Sequence, residues 1–279
     1  MYHNRQINSF FLLLIFTCSI LGKTNQFVVT HFPYPQGFSQ TGFQPDYVQI
    51  GINNRMYFMD TKSKTICLIN GDELKWSGGF GFEKDEFISP VSMVYSNLSL
   101  FVLDQSQSKI TEFDSNLHLI SSFSLDVNYP DLFRINPLNE FIIFSNSDQI
   151  LFRYKSGFLT KENMVDLNQY HQISPEVTDI FINDEGEIGI LSSQSSLIFL
   201  LHPSGRYDKP IYCPVENPKW LFSLNGEWVI FNEFGSYVIP ESSKEIFNLP
   251  VHNIHFMTEK NKILYALSHD GFYKWYFEK

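Results

Sequence analysis

Alanine is almost missing from this chain: in 279 residues it occurs once, at Ala266. Alanine is the best helix former, and its loss alongside 28 Phe and 14 Tyr excludes a mainly helical protein and favours strands almost throughout. Cysteine is scarce as well, with three, too few for a disulfide framework. No Gly-x-Ser-x-Gly elbow, phosphate-binding glycine loop or Cys-x-x-Cys occurs, which weighs against the enzyme classes that depend on them. Basic charge is in deficit, 20 Lys and Arg against 30 Asp and Glu, for a net charge of −10. Such a surface repels phosphate backbones and anionic headgroups, so nucleic acid is excluded as a partner. Long hydrophobic runs are also lacking, and none approaches the ~20 residues that span a bilayer.

What is present begins with an export signal. Asn4, Arg5 and Gln6 form a polar, positively charged lead, residues 10–21 are almost wholly apolar, and Gly22 is a small residue at which cleavage could fall. Residues 1–22 are therefore expected to be a signal peptide and 23–279 the mature domain, extracytoplasmic (periplasmic or secreted), with no transmembrane span after cleavage. An uncleaved anchor is the competing reading. Lipidation at Cys18 is a third, but Phe16 stands where a lipobox wants a small residue. Cleavage removes Arg5 and no acid, which takes the net charge to −11.

Within the mature chain, residues 87–123 hold four short β runs: 91–95, 98–104, 109–114 and 117–123. Separators of a few Ser, Asn, Asp and Gln residues make them neighbouring antiparallel strands. A meander this size has two apolar faces and no core of its own, so it needs copies on either side. The copies run 47–80, 132–165, 177–212 and 220–249, and a last repeat has only three strands, 253–257, 263–268 and 272–277. A proline precedes each first strand: Pro45, Pro90, Pro130, Pro175, Pro218 and Pro250. A short polar residue ends each second strand: Asp60, Asp104, Ser145, Ser192, Asn232 and Ser268, each able to hydrogen-bond a tight turn. The strand 26–32 belongs to no repeat, and if it completes the last one beside 272–277 the ring closes. The fold expected is all-β: a six-bladed β-propeller of four-stranded antiparallel blades, ring closed by the N-terminal strand. Residues 33–45 read as a loop. An open pair of β-sandwiches is the runner-up, and it gives no reason for the evenly spaced prolines.

At Phe87-Ile-Ser-Pro90, Leu100-Phe-Val-Leu-Asp104, Lys109-Ile110 and Phe113-Asp114 the chain resembles the NHL repeat, which implies a six-bladed propeller. Met56-Tyr-Phe-Met-Asp60 with Ile66 echoes it in the first repeat, and Gly42-Phe43 with Pro45 echoes its loop. From Pro130 onward only the spacing survives. The family's Asn-His-Arg before the third strand is Gln107-Ser108-Lys109 here, and its third loop glycine is Glu83. The absence of a Trp-Asp pair counts against WD40 repeats, and Gly78-Gly79 alone is too little for kelch.

Several side chains invite a chemical reading. Asp60 and Asp104 could form a carboxylate pair, yet their equivalents are Ser and Asn, so the position calls for a turn-capping oxygen. Cys67 and Cys213 fall on opposite sides of a six-fold ring, beyond the ~7 Å of a disulfide, and are expected to be unpaired. His252 and His255 point to opposite faces of a strand and make poor co-ligands. In a propeller the starts of the first strands line one channel mouth, here Asp46, Val91, Asp131, Glu176, Lys219 and His252. Asp46, Asp131, Glu176 and His252 could hold Ca²⁺ or another divalent cation, although a solvated polar rim explains them equally. On the same face Phe80, Phe82, Tyr129, Tyr170 and His171 are candidate ligand-binding residues, while Phe87 is expected to be buried. The expectation is a monomeric, non-enzymatic binding or scaffold module for a protein, peptide or glycan, with no cofactor. The alternative is a metal-dependent hydrolase, lactonase or lyase at the channel mouth.

Overall fold

In the computed structural model, which describes residues 13–15, 27–155, 160–170, 176–251 and 253–277, the chain forms six antiparallel sheets arranged as blades around one axis. Blade one runs Tyr47–Ile50, Met56–Asp60, Thr65–Asn70 and Glu73–Gly78 from the axis outward. Blade two runs Pro90–Ser96, Ser99–Asp104, Lys109–Asp114 and Leu119–Ser124. The innermost strands of blades three to six are Pro130–Ile135, Val177–Ile182, Pro218–Leu224 and Phe256–Lys260. The last of these packs back against Tyr47–Ile50, so the ring is complete. Closure is by the N-terminal strand: Phe27–Pro33 pairs antiparallel with Gly271–Phe277, from Phe27 opposite Phe277 to Pro33 opposite Gly271. Outside it, Leu13–Ile15, within the stretch expected to be a signal peptide, adds a short fifth strand with Leu13 opposite Thr30, which cleavage after residue 22 would remove without opening the ring.

The blades have no cores of their own, as the meander required. The apolar residues form six clusters, and each lies between two neighbouring blades. Alternation along a strand sends successive side chains to opposite faces. Leu100 and Val102 thus join the cluster shared with blade one, whereas Phe101 and Leu103 join the one shared with blade three. Cys67 and Cys213 are buried in different clusters, unpaired, with their thiols pushed up by burial to about 12 and about 11.

The polar markers end the second strands as expected, and all six are buried. They do more than cap a turn. Asp104 takes the amide of Gln107 on Oδ1 (2.9 Å), within its own turn, and the amides of Ile88 and Ser89 on Oδ2 (2.6 and 3.0 Å), from the loop entering the blade. Asp60 does the same with Lys62 and Ser63 on one oxygen and Gln44 on the other. Asp60 and Asp104 therefore each tie a blade's turn to the loop that enters the blade.

Two expectations need correction. Residues 33–45 are not all loop: Gln36–Thr41 is a single helical turn that Gly42, at φ 73°, ends in the left-handed conformation. It buries Phe38 against Phe43, Phe58 and Trp76. The first strand of blade six starts at Phe256 and not at Asn253, because Asn261 and Lys262 both have positive φ (54° and 63°) and close a two-residue hairpin pairing Lys260 with Ile263. Pro250 is therefore not at that strand's start. Among the described residues no helix is long and apolar enough to cross a membrane.

Candidate functional site

The start of the innermost strand is bulged in four of the six blades. In blades two to five the pairing slips by one residue, after Pro90, Pro130, Val177 and Pro218, and leaves Val91, Asp131, Thr178 and Lys219 outside the ladder. Asp46 and His255 hold the same place in blades one and six, their amides donating to Met59 and Leu267 carbonyls at 2.8 Å. These six residues form the rim. Sequence reading gave four of them; the other two shift, from Glu176 to Thr178 because Val177 is the paired residue, and from His252 to His255 because of the hairpin at Asn261-Lys262. Glu176 is exposed in the incoming loop, and His252 lies outside the described residues.

Five rim residues engage the residue just after a second strand. Asp46 Oδ2 accepts from the Thr61 amide (2.8 Å) and hydroxyl (2.5 Å), and the Asn146 amide donates to Asp131 (2.6 Å). The Ser193 amide donates to the Thr178 hydroxyl (3.0 Å), Lys219 is ion-paired with Glu233, and the rings of His255 and His269 meet edge to face at 4.0 Å. Gln105 adds a bond to Asp131 at 2.7 Å across blades. Burial nevertheless pushes the Asp131 carboxyl up, and burial with the neighbouring imidazole holds His255 below its ordinary value. Among the described residues no three His, Cys, Asp or Glu side chains converge as a metal-ligand set. The expected ligands Asp46 and Asp131 each spend a carboxylate oxygen on a backbone amide of their own blade.

Below the rim is a channel of about 950 Å³. Its wall is part aromatic, with Tyr47, Trp220 and Phe256, and part polar, with Gln49, Thr258 and an ion pair that sequence reading missed. Arg134 of blade three donates to Asp179 of blade four at 2.5 Å, and Asp179 also accepts from the amides of Ile180 (2.8 Å) and Leu221 (2.9 Å). Asp179 thus ties three blades together at the axis. Burial pushes its carboxyl up, opposed by Arg134, and burial also pushes the Tyr47 phenol up to about 12. No local signal announces this pair, since the partners lie in different repeats.

The loop-bearing face around the rim carries the candidate aromatics. Phe80 is 72% and Phe82 81% exposed, in the loop that joins blades one and two, and Tyr129 is 65% exposed in the next such loop. Tyr170 does not join them: it is half-buried, 5.2 Å from Tyr207 and packed on the core between blades three and four. His171 lies outside the described residues. Phe234, 51% exposed in the turn after Asn232, is an aromatic of this face that the interblade loops did not point to.

The Phe80–Phe82 loop is held from beneath. Lys109 is buried and donates its ammonium to the carbonyls of Glu83 (3.1 Å) and Glu86 (2.8 Å), 5.6 Å from the ring of the fully buried Phe87. Gln107 donates to the Gly81 carbonyl (3.2 Å) and Thr111 to that of Lys84 (3.1 Å). Phe80 and Phe87 pair as an isolated bridge. Rings that would gain by burial are therefore displayed on a fixed support.

No protein-family profile and no curated protein sequence matches this chain. Solved structures do. A streptogramin B lyase is 10% identical, with a TM-score of 0.61 over 83% of this chain and 78% of that one. A virginiamycin B lyase from Staphylococcus aureus is 11% identical, with a TM-score of 0.61 over 91% of this chain and 90% of that one. YCF48 bound to D1 peptide is 11% identical, with a TM-score of 0.61 over 85% of this chain and 79% of that one. At such identities the likeness establishes the propeller fold alone.

Proposed function

We propose that the protein is an exported, monomeric propeller of NHL-type repeats that binds a protein, peptide or glycan on its loop-bearing face and performs no chemistry there. One observation carries this reading: Phe80 and Phe82 are held out to solvent by a loop whose backbone is fixed by three side chains from beneath. Preorganised aromatic surface is what binding faces use to limit ordering costs. A propeller of similar fold, YCF48, is bound to a peptide. The leader 1–22 would deliver the mature domain outside the cytoplasm. The test is a set of printed peptide and glycan arrays probed with wild type and with Phe80→Ser/Phe82→Ser. Ligands retained by wild type and lost by the variant support the reading; equal retention overturns it.

The competing reading, a metal-assisted hydrolase, lactonase or lyase, draws on the lyases of similar fold and on the adjacent imidazoles of His255 and His269 at the channel mouth. It would be supported by chelator-sensitive turnover of an ester, a lactone or a cyclic depsipeptide that His255→Ala abolishes. No turnover with added Ca²⁺, Mg²⁺ or Zn²⁺ would remove it.

A further inference from the structure

The chemistry around Phe80 and Phe82 narrows the ligand class. Both rings are exposed, so their faces are open to a partner, and a ring face attracts a cation within about 6 Å of its centre. The same loop supplies the counter-charge. Glu83 follows Phe82 directly and is exposed, Asp85 is half-buried two residues on, and neither forms a salt bridge among the described residues. Of the cations at this loop, Lys84 stands between the two acids and is exposed, and Lys109 beneath is engaged, donating to two backbone carbonyls.

The surroundings have the same sign. The described stretches that carry the chain from blade to blade on this face are 34–46, 79–89, 125–129, 167–170 with 176, 213–217, and 249–251 with 253–255. They hold acids from Asp46 to Glu216 but a single lysine, Lys84, and no arginine. The turns between second and third strands add Lys62 and Lys64 and the rim adds Lys219, set against Asp148, Asp270 and Glu233, the last of these ion-paired with Lys219. A cationic partner approaching this face is attracted at long range and meets aromatic rings at contact, whereas an anionic one is repelled.

We propose that the Phe80–Phe82 loop captures an extended peptide segment of a partner protein bearing lysine or arginine, with the cationic side chain seated on the Phe rings and Glu83 and Asp85 as its counter-charges. This rests on the reading of the loop-bearing face as a binding surface, and it excludes a neutral glycan or an acidic peptide as the ligand of this loop. The loop already makes one such contact with the strand beneath it, the Lys109 ammonium over the Phe87 ring.

The test measures binding of the full chain to three fluorescent peptides of one length, bearing four arginines, four citrullines or four glutamates, and to a neutral oligosaccharide. The arginine peptide is expected to bind at least about tenfold more tightly than the citrulline peptide, and to weaken as salt rises from low to physiological strength. Phe80→Ser/Phe82→Ser and, separately, Glu83→Gln/Asp85→Asn should each weaken it about three- to tenfold. The control Asp72→Asn/Glu73→Gln removes the same charge from an exposed turn at the opposite end of blade one and should leave binding unchanged. Thermal unfolding checks that all variants are folded. Loss of binding in the control equal to that in Glu83→Gln/Asp85→Asn overturns the proposal, because net charge alone then explains it. Phe80- and Phe82-dependent binding of the citrulline peptide or the oligosaccharide, as tight as that of the arginine peptide, overturns the cationic ligand but leaves the binding face standing. If no probe responds to Phe80→Ser/Phe82→Ser, both fail.

Discussion

Blades two and three solve one problem with opposite chemistry. In blade two the incoming loop presents amides, from Ile88 and Ser89, and the residue ending the second strand is Asp104, an acceptor. In blade three the incoming loop presents the carbonyl of Asn128, and the matching residue is Ser145, whose hydroxyl donates to it at 2.6 Å while accepting the amide of Asp148. Blade five follows blade three: Asn232 donates Nδ2 to the carbonyl of Glu216 and accepts two amides on Oδ1. Blades one, two, three and five share a geometry in which one residue ties a turn to the incoming loop. The residue type is chosen by which end of a peptide group that loop offers. The marker accordingly changes from Asp60 and Asp104, pure acceptors, to Ser145 and Asn232, which also donate.

The largest effect should come from Asp104→Ala. It strands three amides in a buried site, and donors lost from a charged acceptor cost about 3–5 kcal/mol together. Asp104→Asn keeps the shape and should cost less. Urea denaturation of the three proteins checks the order, and equal midpoints for wild type and alanine would break the comparison. Ser145→Asp should be the next largest, about 2 kcal/mol, since a carboxylate then faces the Asn128 carbonyl. Ser145→Ala removes one hydroxyl and should cost about 1 kcal/mol. The ordering of aspartate below alanine at 145 and above it at 104 is the sharp result; the same ordering at both positions would mean that the match between residue and loop has no energetic content.

The ring itself was legible from one unpaired strand and one incomplete repeat, because closing a sheet leaves a countable remainder. The polar markers were legible because a buried oxygen at a turn recurs by residue type, whatever it bonds. Prolines were a weaker guide. Pro90, Pro130 and Pro218 do start innermost strands, but Pro250 lies six residues before Phe256, and following it misplaced the rim residue of blade six. The signal that would have corrected it is Asn261-Lys262, a pair suited to a two-residue turn with positive φ at both positions. Tyr170 was misplaced for another reason: an aromatic in a loop reads the same whether it faces water or, as here, Tyr207. The Arg134–Asp179 pair was out of reach altogether, since nothing in either repeat specifies which neighbour its inner strand will face.

That pair extends the comparison to the channel wall and gives the smallest expected effect, a change of slope with pH. Val94 stands in blade two where Arg134 stands in blade three, each four residues after the proline that opens its strand, so blade two puts no charge on the wall. Burial raises the Asp179 carboxyl above its unfolded value, and Arg134 pulls it back. The folded state therefore binds this proton more tightly than the unfolded one, and its contribution to stability falls as pH rises from the ordinary carboxylate value through the raised one. Asp179→Asn abolishes that proton site, so the stability difference between wild type and variant should shift in favour of wild type as pH falls from 7 toward 4. Arg134→Met removes the opposing cation and should move the window to higher pH. Val94→Ile, which adds no charge, should leave the slope as it is. Urea midpoints across that pH range that run parallel for wild type, Asp179→Asn and Arg134→Met would mean that the axial carboxylate titrates alike in the folded and unfolded chains, and that the two blades do not differ electrostatically at the wall.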